Sequence, residues 1–270
     1  TQPWRFRATA VEPGHFDVID LWADKSRQLV ELDPDCRELL ISCGAALFNL
    51  QLAIASFGKS QRRQLNPDPN REDWLARVVL RGEHPPTEEE NTLFSAVSAR
   101  RTSREPFQSD AVPESTLAKL RKTAEREGTR LDEPKDLERA NVSTLLQEAD
   151  TTQRNDEVLI SEVREWVGDQ SPRDAAAARW PFAQRSRPRD AGIPADRLGP
   201  RPTGLRHPVR DLALGATVPK RGTANFPNEG RVFVLLTPSD GPDDHFQAGR
   251  ALERIWLTAT AEGLSVALHT

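Results

Sequence analysis

The sequence predicts an α+β, three-layer fold arranged as a single-chain pseudo-dimer, and three observations carry that expectation. Short segments of strand character lie at Trp4–Thr9, Phe16–Ala23, Leu75–Leu80 and Arg231–Leu236, separated by long stretches of helical period. Two of the helical stretches, near 36–57 and 243–262, carry small residues in their middles: Gly44, Ala45 and Ala46 in one, Gly249 and Ala251 in the other. Small residues let a second backbone approach, so both helices are expected to be central and to cross. The two also match without a gap, Gly44, Ala46, Leu47, Leu52 and Gly58 against Gly249, Ala251, Leu252, Leu257 and Gly263, since 249 − 44 and 263 − 58 both equal 205. That match is either the common grammar of Ala/Leu-rich helices that end in Gly or an internal repeat packed about a pseudo-twofold axis.

The elements follow in order. Glu12-Pro13-Gly14-His15 turns the first two strands into a hairpin. Asp33-Pro34 reads as an N-cap with Pro at the first helical position, and the helix runs through Leu39, Leu40, Cys43, Leu47, Leu50 and Ile54 to a cap at Gly58. Cys36 and Cys43, the only cysteines, lie two turns apart on it, too far for a bridge, and read as reduced thiols. Pro85-Pro86 marks a boundary, giving halves 1–86 and 87–270. Thr87 with Glu90 is a capping box that opens a helix through about Ala99. Further helices are expected from Val112-Pro113-Glu114-Ser115 to Gly128, over about Asp136–Arg154, and over Asp156–Val167. Residues 169–230, interrupted by nine prolines, read as a lid-like insertion. The continuous apolar run Arg231–Leu236 reads as a central strand, and Leu264–Leu268 as the start of another.

Composition bounds the function. Of 270 residues, 37% are hydrophobic and 29% charged, enough for one large or two ordinary domains with much solvated helix surface. A formal net charge of −4 argues against a general nucleic-acid partner. No apolar run is read as approaching the roughly 20 residues of a membrane span and no signal peptide is read, so a cytoplasmic protein without a membrane partner is expected. The five histidines have no partner at ligand spacing, and neither a Gly-rich dinucleotide fingerprint nor a phosphate-binding loop occurs.

One stretch concentrates donors for an anion: Arg100-Arg101-Thr102-Ser103-Arg104-Glu105-Pro106-Phe107 sets three guanidinium groups and a hydroxyl within five residues. Planar guanidinium donors match phosphate oxygens, although a clustered arginine run is also what a solvated helix end looks like. Trp4 and Trp256 are apolar-face residues that could flank an aromatic ligand or simply fill the core.

Arg100, Arg101, Thr102 and Arg104 resemble, position by position, the motif of the nitroreductase superfamily that contacts the phosphate and ribityl chain of FMN. Thr1-Gln2-Pro3-Trp4 is similar to that family's second motif, Asn-x-Gln-Pro-Trp, without its Asn. Gly192-Ile193-Pro194 and Pro208-Val209-Arg210-Asp211 resemble the insertion of the actinobacterial Acg-like branch, in which one chain carries two diverged nitroreductase units. The resemblance implies a three-layer nitroreductase-like fold, monomeric by its internal pseudo-dimer. It implies FMN held by Arg100, Arg101, Thr102 and Arg104 with Gln2 along the ring, and NAD(P)H as electron donor. A nitroaromatic, quinone or similar small molecule would be the acceptor. No catalytic side chain is then required, because hydride transfer resides in the flavin. A flavin-sequestering protein of the same fold with little turnover is the second expectation, and an interaction protein without flavin the third. The cut motif at Thr1 and the strand that stops at Thr270 suggest a piece of a longer chain.

Overall fold

A computed structural model of the chain describes residues 2–12, 15–102, 111–166 and 231–268. The insertion expected at 169–230 lies outside them.

Strands β1 (Trp4–Glu12) and β2 (His15–Ala23) form the predicted hairpin. β2 pairs in turn with β4 (Trp74–Glu83), which takes β3 (Lys59–Leu65) on its far side, so the sheet is antiparallel throughout in the order β1-β2-β4-β3. Strand alternation sends Leu21, Ala23, Ala76 and Val78 to one face, where all four are buried. On the opposite face a register irregularity between Leu21 and Trp22 brings Trp74 opposite Trp22, and the two indoles stack at 5.1 Å between centroids. Arg71 lies over one ring and Arg77 over the other, each at 4.5 Å. Buried Asp20 then accepts from Trp74 Nε1 at 3.2 Å and from Arg77 Nε and Nη2 at 2.8 Å each.

The long helix α1 (Arg37–Ser56) covers the buried face. It starts three residues later than the Asp33-Pro34 signal suggests. Cys36 occupies the N-cap in a left-handed conformation, φ 58, and the Asp33 carboxylate reaches forward to accept from the amides of Glu38 at 3.1 Å and Leu39 at 2.9 Å. Asp33 therefore caps the helix from outside it. By length and composition α1 could cross a bilayer, contrary to the expectation that no segment comes near that; here half of it is buried, between the sheet and a second long helix.

The capping box at Thr87 opens α2 (Glu88–Ala99) as predicted. Helix α3 (Glu114–Arg126) closes near Gly128 at φ 69 and leads into β5 (Arg130–Asp132), which pairs antiparallel with β6 (Val234–Leu236). Helices α4 (Asp136–Asn155) and α5 (Glu157–Trp166) come between them, and Glu162 of α5 accepts from the amides of Glu31 and Leu32. The run 231–236 is not a central strand among the described residues: β6 is three residues long, half-buried, and belongs to a two-stranded sheet.

Helix α6 (Pro242–Ala261) crosses α1 at the centre of the molecule. A Cβ on Gly44 would stand 2.0 Å from the Phe246 carbonyl oxygen, and one on Gly249 would stand 1.9 Å from the Ile41 carbonyl oxygen. The backbones themselves are in contact, so glycine is required at both points. Three apolar clusters follow. The four-stranded sheet packs on α1, and Phe246 of α6 joins the same buried cluster as Leu21, Leu47, Ala76 and Val78. Phe48 and Leu52 of α1 meet Leu93 and Ala96 of α2 and Leu257 of α6. Ile255 and Ala259 of α6 meet Leu120 and Ala124 of α3, Leu131 of β5 and Leu235 of β6. Sheet, helices and small sheet stack in that order.

Candidate functional site

The loop that follows α2 is held against α6. Arg100 is the C-cap of α2, its amide bonded to the Ala96 carbonyl at 2.9 Å, and its side chain turns back over α6. The guanidinium lies 4.3 Å above the Trp256 ring, and Nε stands 3.2 Å from Oε1 of Glu253. The two charges touch, yet the Nε–H does not align as a hydrogen bond to the carboxylate. Trp256 and Glu253 are buried, at 5% and 4% exposure, while the Arg100 side chain keeps 30%. Glu253 also accepts from Asn49 Nδ2 of α1 at 3.0 Å. Burial pushes its carboxyl up from the ordinary glutamate range, against the opposing pull of Arg100 and of the Asn49 hydrogen bond.

Arg101 is exposed, and its Nη1 donates to the carbonyls of Ser98 and Arg100 at 2.7 Å each, closing the last turn of α2. Thr102 is exposed and makes a single parallel bridge with Val266, which places the loop beside the segment that follows α6. Arg104 lies outside the described residues. Gln2 sits at positive φ, 53, and its carbonyl accepts from Arg27 Nη1 at 3.3 Å. The next carbonyl, of Pro3, accepts from Cys43 Sγ of α1 at 3.4 Å. Cys43 and Asn49 are six residues apart on α1, about 9 Å of helix rise, so Gln2 and Arg100 approach the same helix from different elements at separate points.

A second buried charge group lies farther along α6. Arg250, 3% exposed, pairs with Oε2 of Glu127 at 2.8 Å, and Arg254 pairs with Oε1 of the same carboxylate at 2.7 Å. Gln247 adds bonds to both Glu127 and Arg250. Burial pulls the Arg250 guanidinium down to about 10. Two cations on one anion at the end of α3 tie that helix to α6. An open cleft of about 800 Å³ lies elsewhere, lined by Arg5, Asp24, Lys25, Arg71 and Asp73, and includes none of the expected site residues.

Glu253 and Asn49 are the participants that the sequence reading passed over. A signal existed: Phe246, Gly249, Glu253, Trp256 and Leu257 fall at the spacing of one buried helix face, so the single acid in that stripe needs a partner.

What the Arg100 site can do is grip an anion. Trp256 fixes the plane of the guanidinium and Glu253 takes its Nε side, so the Nη atoms, which have no hydrogen-bond partner among the described residues, remain for two acceptor oxygens. No protein-family model matches the chain. In Mycobacterium tuberculosis the protein named "Putative NAD(P)H nitroreductase Rv3131" is 30% identical over 268 residues, covering 98% of this chain and 70% of that protein. "Uncharacterized protein Rv3127" of the same organism is 26% identical over 275 residues, 100% of this chain and 73% of that one. "Putative NAD(P)H nitroreductase acg" is 25% identical over 271 residues, 100% of this chain and 75% of its own length. With an α+β fold, and with similarity that runs through both halves into a relative of this identity, the chain belongs to the nitroreductase family of oxidoreductases.

Proposed function

We propose that the chain is an FMN-dependent oxidoreductase that takes hydride from NAD(P)H and passes it to a nitroaromatic, a quinone or a similar small acceptor. The nicotinamide donor is the one named in two of the relatives. The observation that carries the flavin is Arg100. An arginine that only balanced the negative end of α2 would need neither an indole beneath it nor a buried carboxylate behind it, whereas Arg101 already meets the α2 carbonyls. Bound FMN would supply the hydride chemistry. Of the chain's own groups, Arg100 would hold phosphate oxygens through Nη1 and Nη2. Arg101 and Arg104 would add charge at the same turn, Thr102 a hydroxyl donor, and Gln2 an amide toward the ring edge.

The same proposal takes α1 and α6 as equivalent helices of two diverged units in one monomeric chain. Its support is reciprocity: Gly44 meets Phe246 while Ile41 meets Gly249, and Asn49 meets Glu253 while Phe48 meets Arg254. Each pair becomes the other when 205 is added to one member and subtracted from the other, as an isologous contact requires.

Titration of the apo-protein with FMN, followed by flavin fluorescence, tests the site. Arg100→Ala is expected to weaken binding by about 30- to 1000-fold, the cost of removing one charged partner of a phosphate held away from water. Arg130→Ala, 70% exposed on β5 and paired with Asp132, is the control and should bind as the unmutated chain does. Equal FMN affinity in all three proteins would remove the flavin reading.

A further inference from the structure

We infer that Glu253 is a proton-linked counter-charge for Arg100: it holds the guanidinium from the protein side when the site is empty and takes up a proton from solvent when a phosphate engages the other side. This rests on the flavin reading of Arg100 and adds a second residue, a proton and a pH dependence to it.

Geometry carries the inference. Glu253 is 4% exposed, and among the described residues Oε1 is paired with Arg100 Nε at 3.2 Å and Asn49 Nδ2 at 3.0 Å. Arg63 of β3 lies near enough to Arg250 to act on it but makes no ion pair with Glu253, and the other ion pairs to α6 among the described residues involve other groups. Glu127 at the end of α3 binds Arg250 and Arg254, Glu89 of α2 binds Arg126 and approaches Arg254, and Lys119 of α3 binds Glu262. At this level α1 contributes no charge, only Asn49. Among the described residues Arg100 is thus the sole cation paired with Glu253. A phosphate dianion on the Nη atoms would leave one guanidinium between two anions, one of them buried. Like charges raise a carboxyl's proton affinity, and burial already acts on Glu253 in that sense.

Asn49 makes the protonated state habitable. Its Oδ1 is buried and has no hydrogen-bond partner among the described residues, while its Nδ2 donates to Glu253. Rotation of the amide by half a turn puts Oδ1 where Nδ2 now stands, ready to accept from a protonated Glu253. One side chain therefore serves the carboxylate as donor and the carboxylic acid as acceptor.

Calorimetric titration of the chain with FMN at pH 7.5, in two phosphate-free buffers of different ionisation enthalpy, counts the protons. Wild type is expected to take up a sizeable fraction of one proton, and Glu253→Gln none. The variant should also bind FMN more tightly at pH 8, by about tenfold for each unit by which phosphate raises the carboxyl, and the gap should close toward pH 5. The phosphate's own titration is common to both proteins and cancels in the ratio. Riboflavin, which lacks the phosphate, should bring no proton with it. Asn49→Leu, which removes the waiting acceptor, should reduce the uptake and stands in if Glu253→Gln does not fold. If Arg100→Ala binds FMN as wild type does, the flavin reading falls. If Arg100→Ala loses affinity but wild type takes up no proton, or Glu253→Gln takes up the same number, that reading stands and the role of Glu253 is overturned.

Discussion

Gly249→Ala asks whether the α1–α6 crossing is as close as the backbone positions require. The added methyl would lie 1.9 Å from the Ile41 carbonyl oxygen, 2.6 Å from its carbonyl carbon and 2.8 Å from its Cα. All three are main-chain atoms of a helix, so no rotamer change relieves the clash. Reaching an ordinary contact of about 3.4 Å requires the helices to part locally by about 1.5 Å, and a gap of even 0.5–1 Å forfeits roughly a quarter to a half of each facing dispersion contact. Overpacking of this kind costs about 1–3 kcal/mol before that loss is counted. Helix propensity opposes it, since Ala in a helix is better than Gly by about 1 kcal/mol. With the lost dispersion roughly offsetting the propensity gain, the net expectation is a destabilisation of about 1–3 kcal/mol, which for a chain of this size lowers Tm by roughly 2–12 °C. Thermal and urea unfolding followed by circular dichroism measure it, with Gly82→Ala as a control, because a Cβ there meets nothing within 4 Å. Gly44→Ala should behave alike, its methyl 2.0 Å from the Phe246 carbonyl oxygen. The double variant should cost less than the sum, because one separation of the helices accommodates both methyls. A Gly249→Ala protein that melts at or above wild type would mean that propensity wins and the helices do not touch there.

Two other perturbations test charge and burial. Glu127→Gln leaves Arg250, 3% exposed, without its anion and Arg254 with Glu89 alone, and should cost about 3–5 kcal/mol in urea unfolding; a loss below about 1 kcal/mol would mean the cluster is solvated. Burial pushes the Cys43 thiol from its ordinary value near 9 up to about 12. Because the folded value is the higher, the folded state binds more protons between about pH 9 and pH 12, and the contribution is intact below pH 9 and lost as pH rises through that window. Stability should therefore decline more steeply with pH above 9 in wild type than in Cys43→Ala, and Cys43 should label with a thiol reagent only after unfolding. Parallel pH profiles would count against this.

How far the sequence disclosed the structure depended on how local each cause was. The Thr87 box, the hairpin at 4–23 and the glycine stops at 58, 128 and 263 are set by neighbours a few residues away, and they stand where they were expected. Lys59–Leu65 was passed over because Lys-Ser-Gln-Arg-Arg-Gln-Leu shows no apolar alternation; it is an edge strand, mostly exposed, held by pairing with β4. Arg130–Asp132 is a strand of three residues made by a partner more than a hundred positions away. The start of α1 moved from Pro34 to Arg37 because a carboxylate can cap amides from beyond the helix, an arrangement the usual spacing rules do not describe. At the site, Arg100 stood out because its neighbours in sequence are also basic. Glu253 and Asn49 did not, since their significance arises only when three distant segments meet.

Phe246 has a consequence for how the molecule comes apart. It belongs to α6, yet it is part of the buried cluster that holds Leu21, Leu47, Ala76 and Val78, all before residue 86. The prolines at 85 and 86 therefore mark a change in sequence pattern without marking a seam in cooperativity. Were α6 to lift away, α1 and the cluster it shares with the four-stranded sheet would lose one of their members, and the amides of β2, β4 and α1 are expected to open to exchange with those of α6 at one common free energy. Cut at the prolines, residues 1–86 would lack one member of their own apolar cluster.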